Sequence, residues 1–332
     1  MPTSLLEVRD LRTVFHTREA VVHAVNSVSF DLRQGEILGV VGESGSGKSV
    51  TMMSLLGLLP SPPAEITGGR VMFDGRTLLG MQPEELRRTC GREIGFVFQN
   101  PTTSLNPVFS VGFQLMEPLR RHLGLSRRAA RARAVELLEL VGIPDAGRRL
   151  SDYPHQFSGG MCQRVMIAIA LSCTPRILIA DEPTTALDVT IQSQILELIE
   201  NLRHKLGMAV IWITHDLGVI AEIADRVLVM YAGQIVEHAP AGDLFTRPQH
   251  PYTRALLRTM PAARDDGPAR LRTIPGQTPT LVADLVECPF RPRCEEAFAR
   301  CRQEVPRRMA CTDTHDAACF LVYRPGANTH AL

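Results

Sequence analysis

The sequence predicts an α/β fold with a largely parallel β-sheet. Up to about residue 240, short apolar segments alternate with amphipathic helical segments, and a glycine-rich turn (residues 42–49) follows the apolar segment 36–41. The apolar segments contain few polar residues, as expected for strands of a sheet that is covered on both faces. Strands that alternate with helices in this way build parallel sheets.

Five segments have the strand pattern: 36–41 (EILGVV), 94–98 (IGFVF), 176–181 (RILIAD), 208–214 (MAVIWIT) and 226–230 (RVLVM). A helix is predicted from about Thr190 to Leu206, with Asp188 suited to cap its start and Gly207 its end. Its apolar residues fall on one helical face: Ile191, Ile195, Leu198, Ile199, Leu202 and Leu206.

The segment from about 100 to 172 has few strand signals, and we interpret it as an inserted helical subdomain. Its apolar residues recur at helical spacing opposite a row of arginines: Ala134, Leu137, Leu138 and Val141. The six arginines between Arg120 and Arg133 could form a nucleic-acid patch, but we interpret them as a solvated helix face.

Beyond about residue 240 the strand-helix alternation fades, and prolines, charged residues and cysteines become frequent. We therefore predict a first domain at 1–240 and a separate, loop-rich C-terminal region at 241–332. The formal net charge is +1, which gives no global attraction to nucleic acid or anionic membranes. No apolar run is long enough to span a bilayer and no secretory signal is visible, so we expect a cytosolic location, where disulfides are rare.

A phosphate-binding loop is predicted at GVVGESGSGKSV (39–50), between a predicted strand and a predicted helix. The glycines let backbone N–H groups turn towards phosphate oxygens, and the following helix directs its positive end at them. Lys48 is expected to reach the β- and γ-phosphates, and the Ser49 hydroxyl to ligate Mg²⁺. The predicted nucleotide-binding residues are Gly42, Glu43, Ser44, Gly45, Ser46, Gly47, Lys48 and Ser49.

The second half of the predicted site is ILIADEPTTALD, beginning at Ile177. Asp181 ends a predicted buried strand and is expected to bind Mg²⁺, mainly through water. The next residue, Glu182, is expected to polarise the attacking water, although two adjacent acids also occur in solvated turns. His215 follows another predicted strand, where we interpret it as a γ-phosphate sensor rather than a structural histidine.

The segment FSGGMCQR (157–164) narrows the choice among P-loop ATPases. Together with FVFQNP, DEPTTALD and ITHD, it closely resembles the nucleotide-binding subunit of ABC transporters over about residues 5–240. The resemblance implies an ABC-type P-loop NTPase with an inserted helical subdomain. It also implies that the chain binds ATP and Mg²⁺ and hydrolyses ATP.

Ser158, Gly159 and Gly160 match the signature loop of that family, which binds ATP held by the opposite subunit. A serine hydroxyl and backbone amides at the N-terminus of a helix can bind phosphate in this way. One chain would then have two phosphate-binding segments far apart in its sequence. This fits a dimer in which two nucleotides are bound between the two chains. The family usually continues this loop with glutamine, whereas this chain has Met161, with Gln163 two places on.

Other roles also follow from the resemblance. Gln99 matches the residue that senses Mg²⁺ and whose loop touches the membrane partner. Asp188 matches the loop that couples the two ATP sites. Phe15 is the best match for the aromatic residue that stacks on adenine.

The segments GQIVEHAPAGDLFTRPQHPYTRALLRTMP and CPFRPRC…C…H…AC resemble the oligopeptide/dipeptide importer branch. That resemblance implies a second, similar ATPase, two membrane permeases and an external substrate-binding protein. It implies import of peptides or a related small solute, with no nucleic-acid partner. A soluble ABC ATPase of DNA repair or translation is the alternative, but the chain has one P-loop and no heptad repeat. A non-hydrolysing module is a third hypothesis, which Glu182 and His215 disfavour.

The C-terminal region contains four cysteines at the spacing C-x5-C-x6-C-x17-C: Cys288, Cys294, Cys301 and Cys319. Four thiolates suit either tetrahedral zinc or an iron–sulfur cluster. The absence of CxxC pairs and the resemblance to cluster-containing importer ATPases favour a [4Fe–4S] cluster, with zinc as the alternative. Cys311 lies in the same stretch and could serve as a ligand instead, but the family pattern pairs its last cysteine with a histidine, here Cys319 with His315.

Overall fold

The computed structural model describes residues 4–185, 188–260 and 273–322. Its strands are β1 (Ser4–His16), β2 (Val21–Arg33), β3 (Ile37–Val41), β4 (Ala64–Phe73), β5 (Arg76–Thr77), β6 (Ile94–Val97), β7 (Ile177–Asp181), β8 (Ala209–Thr214), β9 (Arg226–Tyr231), β10 (Gln234–Pro240), β11 (Met309–Thr312) and β12 (His315–Ala317).

The helices are α1 (Lys48–Leu55), α2 (Pro83–Arg92), α3 (Pro101–Ser104), α4 (Val111–Leu123), α5 (Arg127–Leu140), α6 (Ala146–Arg149), α7 (Gly159–Leu171), α8 (Val189–Leu206), α9 (Leu217–Ile223), α10 (Ala241–Thr246) and α11 (Pro251–Arg258). Short 3₁₀ turns occur at Pro154–Gln156, Arg291–Arg293, Ala299–Arg302 and Phe320–Val322.

The described residues form two compact units. The P-loop unit comprises residues 4–32, 37–79 and the described part of 214–332. The helical unit comprises residues 33–36 and the described part of 80–213. The C-terminal region thus clusters with the P-loop unit, while the predicted boundary at residue 240 stays a prediction.

In the P-loop unit, an antiparallel sheet has the strand order β2-β1-β4-β5. The other strands of this unit run β11-β12-β10-β9-β3, with β3 parallel to β9 and the remaining pairs antiparallel. Every residue of β3 and β9 is buried, which explains why both sequences are almost entirely apolar, with Arg226 at the start of β9 as the charged exception. The C-terminal strands β11 and β12 therefore extend the strand ladder that begins at the P-loop strand β3.

In the helical unit, β8, β7 and β6 form a parallel ladder. β7 and β8 are buried throughout, in agreement with the sequence prediction. Helix α5 buries the predicted apolar residues Ala134, Leu137 and Leu138 and packs against α4 and α7. Most arginines of this segment are exposed, and Arg133 pairs with Glu136 at 2.7 Å, as expected of a solvated helix face.

In the part of the chain that the structure describes, no helix is both long enough and apolar enough to cross a membrane.

Candidate functional site

The loop 42–49 joins strand β3 to helix α1, and its backbone requires glycine at two positions. Gly42 has φ 153° and Gly47 has φ 95°, values that residues with side chains rarely adopt. A Cβ on Gly42 would stand 2.3 Å from the carbonyl oxygen of Met230, and one on Gly47 would stand 2.6 Å from that of Ala24. The loop is therefore held tightly against its surroundings in the P-loop unit.

Lys48 directs its ammonium group into this loop. Its Nζ donates to the carbonyl oxygens of Gly42 at 2.8 Å and Glu43 at 3.0 Å, and the side chain is 6% exposed. Ser49 follows in the first turn of α1. A lysine ammonium enclosed by a glycine-rich loop at a helix N-terminus is suited to binding phosphate.

The remaining residues of the predicted loop lie at different depths. Ser44 and Gly45 are exposed at its tip, whereas Ser46 is fully buried. Phe15, the predicted adenine-stacking residue, is half-buried on β1, where it pairs with Ala64 of β4. The structure places all these residues in the P-loop unit.

In the helical unit, the structure brings Gln99 and Glu182 together. The Gln99 Nε2 donates to Glu182 Oε2 at 2.8 Å, and the Thr185 hydroxyl donates to the same oxygen at 3.0 Å. Asp181 is the last residue of β7 and is 5% exposed. This end of β7 therefore gathers two carboxylates and an amide, which are suited to magnesium binding and to orienting water.

Glu182 has φ 47°, in the left-handed region that a glutamate rarely occupies. Its N–H donates to the carbonyl oxygen of Ile213 at 2.9 Å, which holds the backbone in that conformation. Strained backbone at a strand end is typical of functional sites.

Ser158 caps the N-terminus of α7, with its Oγ accepting from the N–H of Met161 at 3.3 Å. Among the described residues, a Cβ on Gly159 would meet no heavy atom within 4 Å, whereas one on Gly160 would stand 3.1 Å from Cγ2 of Ile191. Packing among the described residues therefore explains why a glycine is needed at Gly160, but it does not explain the glycine at Gly159. The exposed position of Gly159 leaves room for a ligand to approach its backbone.

Asp188 and Gly207 bound helix α8 as the sequence predicted. Asp188 Oδ1 accepts from the N–H of Ile191 at 2.9 Å, and Gly207 has φ 63°. His215 follows β8 and is exposed in the P-loop unit, and the next residue, Asp216, caps α9. Its predicted role as a γ-phosphate sensor stays a prediction.

The four predicted cysteine ligands line one small, partly enclosed cavity: Cys288, Cys294, Cys301 and Cys319. Phe290, Phe298 and Phe320 complete much of the lining. Burial, with smaller contributions from neighbouring thiols, raises the pKa of both Cys288 and Cys319 to about 11. Cys311 is not among the lining residues.

No disulfide joins these cysteines. Within the described ranges, no three His, Cys, Asp or Glu side chains are arranged to hold a single metal ion. The four thiols therefore line one cavity but do not converge on a single metal-ion position.

His315 has a partner other than the cysteines. Its Nε2 lies 2.7 Å from Glu237 Oε1, and both side chains are buried. Glu237 also accepts from the N–H groups of Gln249 and His250. His315 therefore fastens β12 to β10, a structural role that sequence spacing did not indicate.

Sequence patterns also missed the residues that hold Glu43 of the loop. Arg293 pairs with the Glu43 carboxylate, and the Tyr252 hydroxyl accepts from the Glu43 N–H. Arg293 and Glu43 are 250 positions apart, so no local sequence signal could have joined them.

Comparison with known proteins gives two family matches. Residues 25–185 match the ABC transporter family, and residues 236–301 match the oligopeptide/dipeptide transporter C-terminal region. A probable peptide ABC transporter ATP-binding protein of Sinorhizobium fredii is 52% identical, over 95% of this chain and 94% of that protein. The dipeptide transport ATP-binding protein DppD of Bacillus subtilis is 50% identical, over 96% and 94%.

Solved structures give the same family. The dimeric, post-hydrolysis ATP-binding cassette MJ0796, bound to ADP and phosphate, has a TM-score of 0.64 and 28% identity, covering 71% of this chain and 98% of that one. CbiO1 of Clostridium perfringens, part of an ABC transporter complex, has a TM-score of 0.62 and 27% identity, covering 74% and 91%. The chain therefore belongs to the ATP-hydrolysing, ATP-binding proteins of ABC transporters, in the branch that carries the oligopeptide/dipeptide transporter C-terminal region.

Proposed function

We propose that this chain hydrolyses ATP to energise an ABC importer of dipeptides, oligopeptides or a related small solute. The observation that carries the hydrolytic role is the Glu182 carboxylate at the end of β7, held by Gln99 at 2.8 Å. The peptide cargo rests on relatives named for peptide, dipeptide and oligopeptide transport. The alternative, a soluble ATPase of DNA repair or translation, finds no support among these relatives.

Each predicted residue has a role in this proposal. The loop 42–49 binds the ATP phosphates, with Lys48 supplying positive charge and Phe15 stacking on adenine. Glu182 orients and polarises the attacking water, and His215 contacts the γ-phosphate.

The oxygen-rich side chains proposed to hold Mg²⁺ are those of Ser49, Gln99 and Asp181. Hydroxyl, amide and carboxylate oxygens are the donors that this ion prefers, so the residues fit it. Bound Mg²⁺ would neutralise charge on the phosphates.

A second ATPase subunit completes the proposed active unit. The signature residues Ser158, Gly159 and Gly160 would bind ATP held by the partner subunit, and Asp188 would lie in the loop that couples the two sites. The open space beside Gly159 supports this role, because no packing contact among the described residues requires a glycine there. We propose that the partner is a similar ATPase, forming a heterodimer.

The membrane partners are two permeases, joined outside by a substrate-binding protein. The segment that follows Gln99 is the proposed contact with a permease. Val108 is 70% exposed, and the exposed rings of Phe109 and Phe113 stack with centroids 4.6 Å apart. Exposed apolar side chains of this kind are typical of a docking surface. The chain would then work as a peripheral protein on the cytoplasmic face of the inner membrane.

The cavity formed by Cys288, Cys294, Cys301 and Cys319 is proposed to hold a [4Fe–4S] cluster, with one zinc ion as the alternative. The four thiols line one shared, mainly apolar cavity, and four cysteine thiolates are the usual ligands of such a cluster. Its proposed role is structural, since this region of short strands and 3₁₀ turns has little regular structure to hold it together.

The test of hydrolysis is Glu182→Gln in the chain assembled with its partners. ATP binding should persist, while turnover should fall by about 10²–10⁴-fold, the usual contribution of a positioned base. Steady-state phosphate release and equilibrium ATP binding measure the two effects. Turnover at the wild-type rate would remove Glu182 from the mechanism.

A further inference from the structure

The second residue of the phosphate-binding loop, Glu43, is held by the C-terminal region of the chain. Both carboxylate oxygens of Glu43 pair with Arg293, from Nη1 at 2.6 Å and from Nη2 at 2.9 Å. The Thr278 hydroxyl donates to the same carboxylate at 3.3 Å, and the Glu43 N–H donates to the Tyr252 hydroxyl at 2.9 Å. A forked, two-bond pair of this kind fixes orientation as well as distance.

Arg293 is itself fixed in place. Its side chain is 5% exposed, and its Nε donates to the carbonyl oxygen of Pro275 at 2.7 Å. Its Nη2 also reaches the carbonyl oxygen of Ile274 at 3.3 Å. The guanidinium lies over the ring of Tyr231, 5.8 Å from its centroid. Because all three guanidinium nitrogens are engaged, the side chain has one orientation available to it.

The Glu43 peptide unit also contacts the loop lysine. The carbonyl oxygen of Glu43 accepts from Lys48 Nζ at 3.0 Å. Arg293 thus holds the side chain of Glu43, Tyr252 holds its N–H, and its carbonyl oxygen helps to place the lysine ammonium. A shift of Glu43 would move an acceptor of the group that contacts phosphate.

Arg293 stands next to the cysteine cavity. It ends the 3₁₀ turn Arg291–Arg293 and immediately precedes Cys294. Phe290, just before that turn, lines the cavity and packs edge-on against Tyr231 and Tyr252, with centroids 5.3 Å from each. The residues that enclose the cavity and the residues that hold the phosphate loop therefore belong to one packed cluster.

We propose that Arg293 is a positioning residue of the ATP site: by holding Glu43 it fixes the conformation of the phosphate-binding loop and the placement of Lys48. The inference rests on the proposed role of loop 42–49 in binding ATP. The proposed role of Arg293 makes the C-terminal region part of the ATP site.

The test compares ATP affinity, measured by calorimetric titration of the full-length chain with Mg·ATP, for Arg293→Gln and Arg291→Gln. Arg291 is the matched control, because it lies in the same 3₁₀ turn and pairs with Glu287 at 2.7 Å. Arg293→Gln should weaken ATP binding by about tenfold or more; tenfold corresponds to about 1.4 kcal/mol, close to the lower end of what one hydrogen bond to a charged group contributes. Arg291→Gln should bind ATP with the wild-type affinity.

Further measurements separate a positioning role of Arg293 from general damage to the fold. Arg293→Gln should keep the wild-type metal content and remain folded at the temperature of the titration, although the loss of a buried ion pair should lower its unfolding midpoint. Combining it with Glu43→Gln should weaken binding no more than either change alone, because the two side chains act as a pair. Arg293→Lys keeps the charge but loses the fork, so it should show an intermediate ATP affinity, and it replaces Arg293→Gln if that protein does not fold.

ATP affinity within about twofold of wild type in both Arg293 variants would overturn the proposal. So would equal losses of affinity in Arg293→Gln and Arg291→Gln accompanied by lower unfolding midpoints, which would indicate a purely structural effect. Lys48→Ala distinguishes failure of the positioning role of Arg293 from failure of the proposed ATP site. If Lys48→Ala loses ATP binding while both Arg293 variants retain it, only the positioning role fails; if Lys48→Ala binds ATP normally, the proposed ATP site itself fails.

Discussion

Glu182 shows how a single residue combines strain and function. A glutamate at φ 47° is unfavourable, yet this conformation directs its carboxylate to the Gln99 amide and its N–H to Ile213. The sequence predicted both residues as functional through their motifs. Their direct contact was not predictable, because it joins positions 83 apart in the chain.

Gly159 gives a prediction at the residue scale. Among the described residues, an added Cβ at Gly159 would meet nothing within 4 Å, so Gly159→Ala should leave the unfolding midpoint unchanged or slightly raise it. If the signature loop binds ATP held by a partner subunit, the added methyl group should nevertheless impede ATP-driven dimerisation and hydrolysis. Unfolding and steady-state ATP hydrolysis by the assembled complex are the two measurements.

Gly147 is the matched control, since its Cβ would also meet no described atom within 4 Å. It lies in helix α6 of the same helical unit. Gly147→Ala should likewise leave the unfolding midpoint unchanged or slightly raise it, but it should leave ATP hydrolysis unchanged. Equal hydrolysis by the Gly159→Ala and wild-type complexes would argue against the signature-loop role.

At the scale of elements, the prediction from sequence succeeded for the mostly buried strands and for a helix with one apolar face. The five predicted strands appear as β3, β6, β7, β8 and β9, and the predicted helix appears as α8. The antiparallel sheet β2-β1-β4-β5 was missed. Strand β1 mixes exposed and buried residues irregularly and changes register between Arg9 and Arg12, so it lacks the strict alternation that marks a half-buried strand.

Asp188 provides an element-scale prediction. Its carboxylate caps helix α8 by accepting from Ile191 N–H. Asp188→Ala should lower the free energy of unfolding by about 1 kcal/mol, whereas Asp188→Asn, which keeps the acceptor, should cost less. Urea unfolding of the full chain followed by circular dichroism measures the difference. Equal stability of the Ala and wild-type proteins would show that the cap contributes nothing.

The C-terminal cysteines give a second element-scale prediction. Cys288 lines the shared cavity, whereas Cys311 lies in the same region and is not among the lining residues. Cys288→Ser should therefore lower metal content and destabilise the region, and Cys311→Ser should leave metal content at the wild-type level.

The measurement is visible absorption and metal analysis after purification without oxygen. Iron, sulfide and a broad visible band support the cluster. A colourless protein with one zinc per chain would refute the cluster but keep the four-ligand site. A metal-free protein with an ordered C-terminal region would refute both.

At the scale of the whole molecule, the sequence motifs indicated the family, and the relatives confirmed it. The motifs could not reveal that the C-terminal region packs with the phosphate loop in one compact unit. That association depends on long-range pairs such as Arg293 with Glu43 and His315 with Glu237. Such pairs leave no periodic pattern in the sequence, because each consists of single residues in otherwise irregular segments.

The central claim is that ATP hydrolysis by this chain drives peptide import. It is tested most directly by the uptake of labelled dipeptides and oligopeptides into vesicles that contain the complete transporter. ATP is supplied on the side of this chain and the substrate-binding protein on the other. The wild-type complex should accumulate peptide only when ATP is present, and the Glu182→Gln complex should not accumulate it. Peptide accumulation without ATP, or at the wild-type rate by the Glu182→Gln complex, would contradict the claim.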